Sequence, residues 1–119
     1  MERKKLIMRI AIPMTDGQLA EHFGHCEEFA LVDVDPDTKE ITASAEVEAP
    51  EHQPGILPSW LKERGVNLVI AGGMGSRAHS LFAAASIQVV TGAPADSATA
   101  LVRQYLDGKL VTGENACDH

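Results

Sequence analysis

The stretch Asn67-Leu68-Val69-Ile70-Ala71-Gly72-Gly73-Met74-Gly75 decides how this 119-residue chain folds. Residues 67–71 form a short, continuous apolar run, which is typical of a strand buried on both faces of a parallel sheet. After the glycines, apolar residues recur at helical spacing, and residues 87–90 form a second apolar strand. The helical set is Ala78, Leu81, Phe82 and Ala85. The sequence therefore predicts a βαβ unit with a right-handed crossover.

The segments on either side of this unit extend the prediction to a whole domain. Strands are expected at residues 6–13, 29–34 and 41–47, and the turn Asp35-Pro36-Asp37-Thr38 joins the last two as an antiparallel hairpin. In the third of these strands, apolar residues alternate with polar ones, which predicts a half-buried strand. That apolar set is Ile41, Ala43, Ala45 and Val47.

Three helices complete the element order β-β-β-α-β-α-β-α. The first covers residues 56–64 and ends at Gly65, the second follows the glycines, and the third begins after Asp96 or Ser97 and ends at Gly108. Because apolar faces of strands and helices must be covered, we expect an α/β fold in which one mixed sheet carries helices on its faces. We expect a single domain at residues 8–112, an N-terminal extension at 1–7 and a flexible tail at 113–119.

Composition narrows the classes of function. The chain is 45% hydrophobic and 4% aromatic and has a formal net charge of −7. This acidic balance disfavours a nucleic-acid binder, which needs a basic face to displace counterions. No apolar run reaches the length of a membrane helix, so we expect no membrane partner. Two cysteines are too few for a disulfide scaffold, and we expect a cytoplasmic protein with reduced thiols.

The first candidate site is the turn Gly72-Gly73-Met74-Gly75-Ser76-Arg77, between a buried strand and a helix. Glycines allow the backbone to approach a ligand closely, and the N–H groups at a helix start favour an anion. Arg77 adds a positive charge. Three interpretations stay open: a tight structural turn, a site for an anion or cluster, and a dinucleotide site. For the dinucleotide site, residues 73–78 match the pattern G-x-G-x-x-A. The acidic residue expected after the next strand is missing, because Thr91-Gly92-Ala93 occupies that place.

The second candidate site is His22-Phe23-Gly24-His25-Cys26, in the loop after the first strand. Imidazole and thiolate are ligands suited to transition metals, so His22, His25 and Cys26 are the candidate metal ligands. The alternative is a polar loop with a buried cysteine. Secondary candidates are His52, His79, Cys117 and His119, each of which is equally compatible with an ordinary surface residue.

The two candidate sites meet if the first strand and the strand at 67–71 are parallel neighbours. Both loops would then leave from carboxyl ends at one edge of the sheet, where ligands bind in open α/β folds. No set of nucleophile, base and orienting residue stands out, so we expect no enzyme activity.

Several sequence elements together resemble a known family. They are Ile10-Ala11-Ile12-Pro13, Glu21-His22-Phe23-Gly24-His25-Cys26, Gly65-Val66-Asn67-Leu68-Val69-Ile70-Ala71-Gly72-Gly73-Met74-Gly75 and the ending Cys117-Asp118-His119. The chain resembles the dinitrogenase iron–molybdenum cofactor biosynthesis family over nearly its whole length. The resemblance implies a ribonuclease-H-like, three-layer α/β fold with a mixed five-stranded sheet, without hydrolase activity. It also places His22 and residues 72–75 at a cluster pocket.

The function implied by the resemblance is to bind, store or carry a molybdenum-containing sulfide cluster, or its precursor, for cofactor assembly. The metal beside molybdenum is iron or copper, as in nitrogenase accessory proteins and in orange proteins with molybdenum–copper sulfide clusters. Cluster donor or acceptor proteins are the expected partners. The alternatives are a protein-interaction or regulatory module without metal and a small nucleotide-binding domain. Cluster binding itself could proceed by direct coordination or by non-covalent cradling in backbone amides.

Overall fold

The computed structural model describes residues 7–20, 26–50 and 55–110. The strands and helices appear in the predicted order, with one added strand. The elements are β1 (Met8–Thr15), β2 (Gln18–Leu19), β3 (Glu28–Asp35), β4 (Glu40–Glu48), α1 (Ile56–Glu63), β5 (Leu68–Ile70), α2 (Ser76–Ala84), β6 (Gln88–Val90) and α3 (Ala98–Leu106). Within the described ranges, no helix is long and apolar enough to span a membrane.

Among the described residues the sheet is mixed and has six strands, so the expectation of five is wrong. Five strands follow the order β4-β3-β1-β5-β6, and β2 pairs with the end of β1. The segment 15–26, expected to be a polar loop, turns back at Asp16 and Gly17, which both have positive φ. Positive φ at both central residues is typical of a tight hairpin turn. A two-residue strand is too short for any alternation to predict it.

The strand β1 separates an antiparallel part of the sheet from a parallel part. β1 pairs antiparallel with β3, from Met8↔Val34 to Met14↔Glu28, and parallel with β5. β5 in turn pairs parallel with β6. The condition under which the two candidate sites meet, a parallel pairing of the first strand with the strand near 67–71, is therefore fulfilled. It brings the carboxyl ends of β1, β5 and β6 to one edge of the sheet, which we call the carboxyl edge.

Two apolar layers cover the two faces of the sheet. On one face, α3 contributes Leu101 and Val102 to a core with Ile10, Ile12 and Ile70. On the other face, α1 and α2 pack on a second core, whose largest fully buried residues include Phe29, Leu61, Met74 and Phe82. Since one helix lies on one face and two on the other, the domain has three layers.

The strand β4 departs from its predicted half-buried pattern. Ala43 and Ala45 are exposed, and Ile41 and Val47 pack against opposite faces of the sheet. The cause is a shift in register between Asp33 and Val34, where β4 contributes one extra residue. Such a bulge turns the side chains that follow it to the other face.

Helix boundaries follow the predicted signals. Ser97 is the cap of α3, where its side-chain oxygen accepts a hydrogen bond from the Ala100 N–H at 3.2 Å. Gly65 and Gly108 follow α1 and α3 with φ of +76° and +69°, a conformation that favours glycine. The predicted extension at 1–7, apart from Ile7, and the predicted tail at 113–119 lie outside the described residues.

Candidate functional site

The glycine turn after β5 continues the sheet before it enters α2. Ala71 N–H donates to the Val90 carbonyl at 2.8 Å, and Gly92 N–H donates to the Gly72 carbonyl at 2.8 Å. The segments that follow β5 and β6 therefore stay side by side at the carboxyl edge. Gly73 and Met74 are buried, and the Met74 side chain belongs to the core on the α1 and α2 face. Met74 therefore anchors the turn and does not present its side chain to a ligand.

The start of α2 offers backbone donors to a ligand. Gly75 is the residue before the helix, it is extended, and no side chain caps the helix there. The first helical bond joins His79 N–H to the Gly75 carbonyl at 3.1 Å, so the N–H groups of residues 76–78 have no partner within the helix. Ser76 and Arg77 are exposed, and a Cβ at Gly75 would meet no atom within 4 Å. These amides and Arg77 therefore meet the requirements of an anion site.

Both flanks of the loop 21–25 are bound to the end of β1. Ala20 N–H donates to the Pro13 carbonyl at 2.8 Å, and Glu27 N–H donates to the Met14 carbonyl at 3.0 Å. The described residues on both sides of 21–25 are therefore held by consecutive residues at the carboxyl end of β1. His22 and His25 themselves lie outside the described residues, so their role as ligands stays a prediction.

Cys26 is the candidate ligand of this loop that the structure describes. It is half-buried and packs against the same core as Phe29 and Met74. Burial raises the pKa of its thiol to about 11, so the thiol is protonated at neutral pH. Since only the thiolate binds metal, Cys26 coordinates a metal ion only if the metal displaces this proton.

Thr15, the last residue of β1, is a polar group that the sequence analysis missed. Its hydroxyl oxygen is buried and has no hydrogen-bond partner within the part of the chain that the structure describes. A buried unpaired hydroxyl costs free energy, so this atom is suited to a ligand or water at the carboxyl edge. A threonine at the end of a β-strand is too common for the sequence to mark it.

Acidic side chains dominate one side of the carboxyl edge. Glu28 of β3 lies directly opposite Glu48 of β4. The pKa of Glu28 is raised by partial desolvation and then by the negative charge of Glu46. Arg9 contributes nothing here, because its guanidinium is bound to Asp33 at 2.6 and 3.0 Å and to the Arg64 carbonyl. Within residues 7–20, 26–50 and 55–110, the groups at this edge that suit an anion are therefore backbone N–H groups and Arg77.

Of the secondary candidates, the structure describes His79. His79 is half-buried in α2 and lines a groove beside β6 with Tyr105. His52, Cys117 and His119 lie outside the described residues. Among the residues that are described, no three His, Cys, Asp or Glu side chains are grouped so that they could hold a metal ion. Because His22 and His25 are outside the described residues, both cradling and coordination stay open.

Comparison with known proteins identifies the family. Residues 6–108 match the sequence profile of the family described as dinitrogenase iron-molybdenum cofactor. The chain belongs to this family, and the resemblance in its motifs is confirmed.

Relatives extend the match over nearly the whole chain. An uncharacterized protein of Methanocaldococcus jannaschii is 30% identical over 110 residues, which is 90% of this chain and 92% of that protein. The crystal structure of the protein PH0822 superimposes with a TM-score of 0.81 at 31% identity, covering 88% of this chain and 94% of the other. The structure of the apo form of the orange protein from Desulfovibrio gigas superimposes with a TM-score of 0.68 at 25% identity. The match covers 94% of this chain and 98% of the orange protein.

Proposed function

We propose that this protein binds and carries a molybdenum-containing metal–sulfide cluster, or its precursor, for cofactor assembly, and that it is not an enzyme. The cluster is the protein's cargo, and iron or copper is its second metal. The observation that carries the proposal is the uncapped start of α2 at the sheet edge where β1 also ends, in a member of the dinitrogenase iron–molybdenum cofactor family. The resemblance of the sequence to that family also implies a ribonuclease-H-like fold, which the strand order β4-β3-β1-β5-β6 supports.

The described residues fit such a cluster through hydrogen bonds. A thiometalate cluster is anionic and presents sulfide acceptors, and the N–H groups of residues 76–78 are oriented donors at the positive end of a helix dipole. Gly75 leaves open space next to them. Arg77 adds one charge, and the Thr15 hydroxyl is a further buried group without a described partner. The carboxylates of Glu28 and Glu48 at the same edge repel an anion. The amide site at the start of α2 must therefore favour a ligand whose acceptors match these N–H groups closely.

Direct coordination is the second mode of binding. His22, His25 and Cys26 are the candidates to bind an exposed iron or copper atom, and Cys117 and His119 are secondary ones. The raised pKa of Cys26 predicts that this mode becomes stronger as the pH rises toward 11, because the thiolate fraction increases with pH and reaches one half at about pH 11. Expected partners are proteins that donate or accept the cluster, in the reducing cytoplasm.

Reconstitution tests the proposal. The protein is incubated anaerobically with molybdate, sulfide and either copper or ferrous iron, desalted, and analysed for metal and for a visible chromophore. We expect near-stoichiometric molybdenum to remain with the protein. Retention of neither metal nor colour would contradict the proposal.

Three single variants separate the two modes. If coordination dominates, His22→Ala, Cys26→Ala or Cys117→Ala lowers the retained metal. If cradling dominates, all three retain as much cluster as the parent chain. Equilibrium dialysis against nucleotides serves as the control for the alternative function, and the proposal predicts no saturable uptake.

A further inference from the structure

Glu27, the residue after the candidate ligand Cys26, forms hydrogen bonds through both its backbone and its side chain. Its N–H donates to the Met14 carbonyl at 3.0 Å, and its carbonyl accepts from the Ala49 N–H at 3.1 Å. Its carboxylate oxygen Oε1 accepts from the Asp16 N–H at 3.2 Å. One residue therefore connects the end of β1, the segment after β4 and the turn between β1 and β2.

The bond between Glu27 and Asp16 differs from the two backbone bonds. Those two extend the pairing of β3 with its neighbours β1 and β4. The carboxylate bond instead joins Glu27 to a turn 11 residues earlier in the chain. Asp16 has a φ of +54° and lies beyond the β1–β2 ladder, which ends at Thr15↔Gln18. Its N–H therefore takes no part in that ladder, and the Glu27 side chain supplies its acceptor.

The hairpin of β1 and β2 is also held through β2. Leu19 N–H donates to the carbonyl of Asp96, in the segment before α3, at 2.9 Å. The hairpin leads directly to Ala20, which is the last described residue before Cys26. The position of Ala20 relative to Cys26 thus depends on the hairpin, and the Glu27 side chain joins that hairpin to the chain at Cys26.

We propose that Glu27 is a positioning residue of the candidate site, whose carboxylate holds the turn at Asp16 and so fixes Ala20 relative to Cys26. This role requires an acceptor oxygen at the end of a side chain of this length, and it does not require the negative charge. Glutamine keeps that oxygen at the same reach without the charge. Aspartate keeps the charge on a side chain that is shorter by one CH₂ group. The two substitutions therefore separate positioning from electrostatics.

The consequence for cluster binding rests on the proposed function. A fixed distance between Ala20 and Cys26 orders the chain on both sides of 21–25 before a ligand arrives, which lowers the entropic cost of binding. The bond between Glu27 and Asp16 itself requires no cluster, so it is tested on metal-free protein. Its failure would leave the cluster-binding proposal intact, and a failed reconstitution would leave the positioning role intact.

Amide hydrogen exchange at Ala20 is the first test. Glu27→Ala and Glu27→Asp should each accelerate exchange about three- to tenfold, as the loss of one hydrogen bond predicts. Glu27→Gln should stay within about twofold of the parent, because its amide oxygen still accepts the bond. Val69 of the central strand β5 is the internal control. Acceleration of Val69 by the same factor would overturn the proposal, because the substitution would then act on the whole domain.

Alkylation of Cys26 is the second test, measured with iodoacetamide at pH 8 in a Cys117→Ser chain. Two comparisons are matched in charge: Glu27→Ala against Glu27→Gln, and Glu27→Asp against the parent. In each pair, the chain without the bond should react about threefold faster or more, because the segment at Cys26 opens more often. Equal rates within both pairs would overturn the proposal.

The grouping of the exchange rates at Ala20 decides between positioning and charge. Positioning predicts that Glu27→Gln behaves as the parent does and that Glu27→Asp behaves as Glu27→Ala does. The control Glu48→Ala removes a charge from the same edge and should match the parent. A charge effect would instead group Glu27→Gln with Glu27→Ala, and Glu27→Asp with the parent. That second grouping, or equal rates in all the chains, would overturn the proposal.

Discussion

The two halves of the sheet that meet at β1 are built on different principles. In the antiparallel half, β1, β3 and β4 form long ladders, and the register between β1 and β3 runs unbroken from Met8↔Val34 to Met14↔Glu28. In the parallel half, β5 and β6 have three residues each, and β5 is buried whereas β6 is exposed at Gln88 and half-buried at Val89 and Val90. The long antiparallel ladders provide most of the pairing in the sheet. The short parallel strands end in glycine-containing turns at the carboxyl edge.

This difference explains where a ligand can bind. Where helices connect parallel strands, the starts of those helices lie at the edge where the strands end. An antiparallel meander instead has the ends of its strands at that edge, and these ends carry charged side chains in this protein. The uncapped start of α2 belongs to the parallel half, and the facing carboxylates Glu28 and Glu48 belong to the antiparallel half. Four predictions test this division.

The largest expected effect concerns two residues of one core, Phe82 of α2 and Val47 of the edge strand β4. Phe82 is fully buried beneath α2, and Phe82→Ala should lower the free energy of unfolding by about 3–5 kcal/mol. Val47 of β4 is only half-buried, and Val47→Ala should cost about 1 kcal/mol or less. Urea unfolding of both variants measures the difference. Similar losses would show that the edge strand β4 is packed as tightly as α2.

The second effect concerns the Cys26 thiol at the carboxyl edge. At pH 8, a thiol with a pKa of about 11 is only about 0.1% thiolate. In a Cys117→Ser chain, alkylation by iodoacetamide should therefore accelerate about tenfold per pH unit between pH 7 and pH 10. A rate that levels off below pH 9 would mean that burial does not hold the thiol in its protonated form.

The third effect concerns the ion pair between Arg9 of β1 and Asp33 of β3. Arg9 and Asp33 face each other across β1 and β3, and the guanidinium also donates to the Arg64 carbonyl after α1. Asp33→Asn should lower the free energy of unfolding by about 1 kcal/mol, because it removes a partly exposed ion pair. The loss should shrink in 1 M salt, and a loss that is independent of salt would indicate a packing effect.

The smallest expected effect is a gain in stability on removal of the Glu46 charge. Glu46→Gln removes a negative charge that raises the pKa of Glu28, so the variant should be slightly more stable than the parent at pH 7. A carboxyl whose pKa is raised by folding loses stability as the pH rises through that pKa. The gain should therefore be present at pH 7 and vanish in acid, where both carboxyls are protonated. Thermal unfolding at pH 7 and at pH 3 measures it, and destabilisation at pH 7 would contradict the repulsion.

Much of this architecture could be predicted because its signals are local. The buried strand before the glycines, the cap at Ser97 and the helix ends at Gly65 and Gly108 each follow from a few neighbouring residues. The convergence of the first loop and the glycine turn at one edge then follows from parallel pairing, which the apolar run at 67–71 indicates.

The errors arose where long-range geometry decides. The bulge near Val34 sends Ile41 and Val47 to opposite faces, and no pattern within β4 indicates it. The β2 strand depends on pairing with Met14 and Thr15, and the unpartnered Thr15 hydroxyl emerges only from burial. The sequence also suggested Met74 as a binding residue, although its side chain is buried in the core.

The central claim is that backbone amides at the start of α2 hold the cluster. Ser76→Pro removes one of these N–H groups, and proline is well tolerated at the first position of a helix. Ala98→Pro is the matched control at the first position of α3, since Gly75 and Ser97 share nearly the same extended backbone.

The decisive measurement is the amount of molybdenum retained after reconstitution and desalting by the parent chain and these two variants. Losing one charge-assisted hydrogen bond should weaken binding about 10- to 100-fold in Ser76→Pro and leave Ala98→Pro equal to the parent. Equal retention by all three chains would contradict the claim that the start of α2 is the binding site.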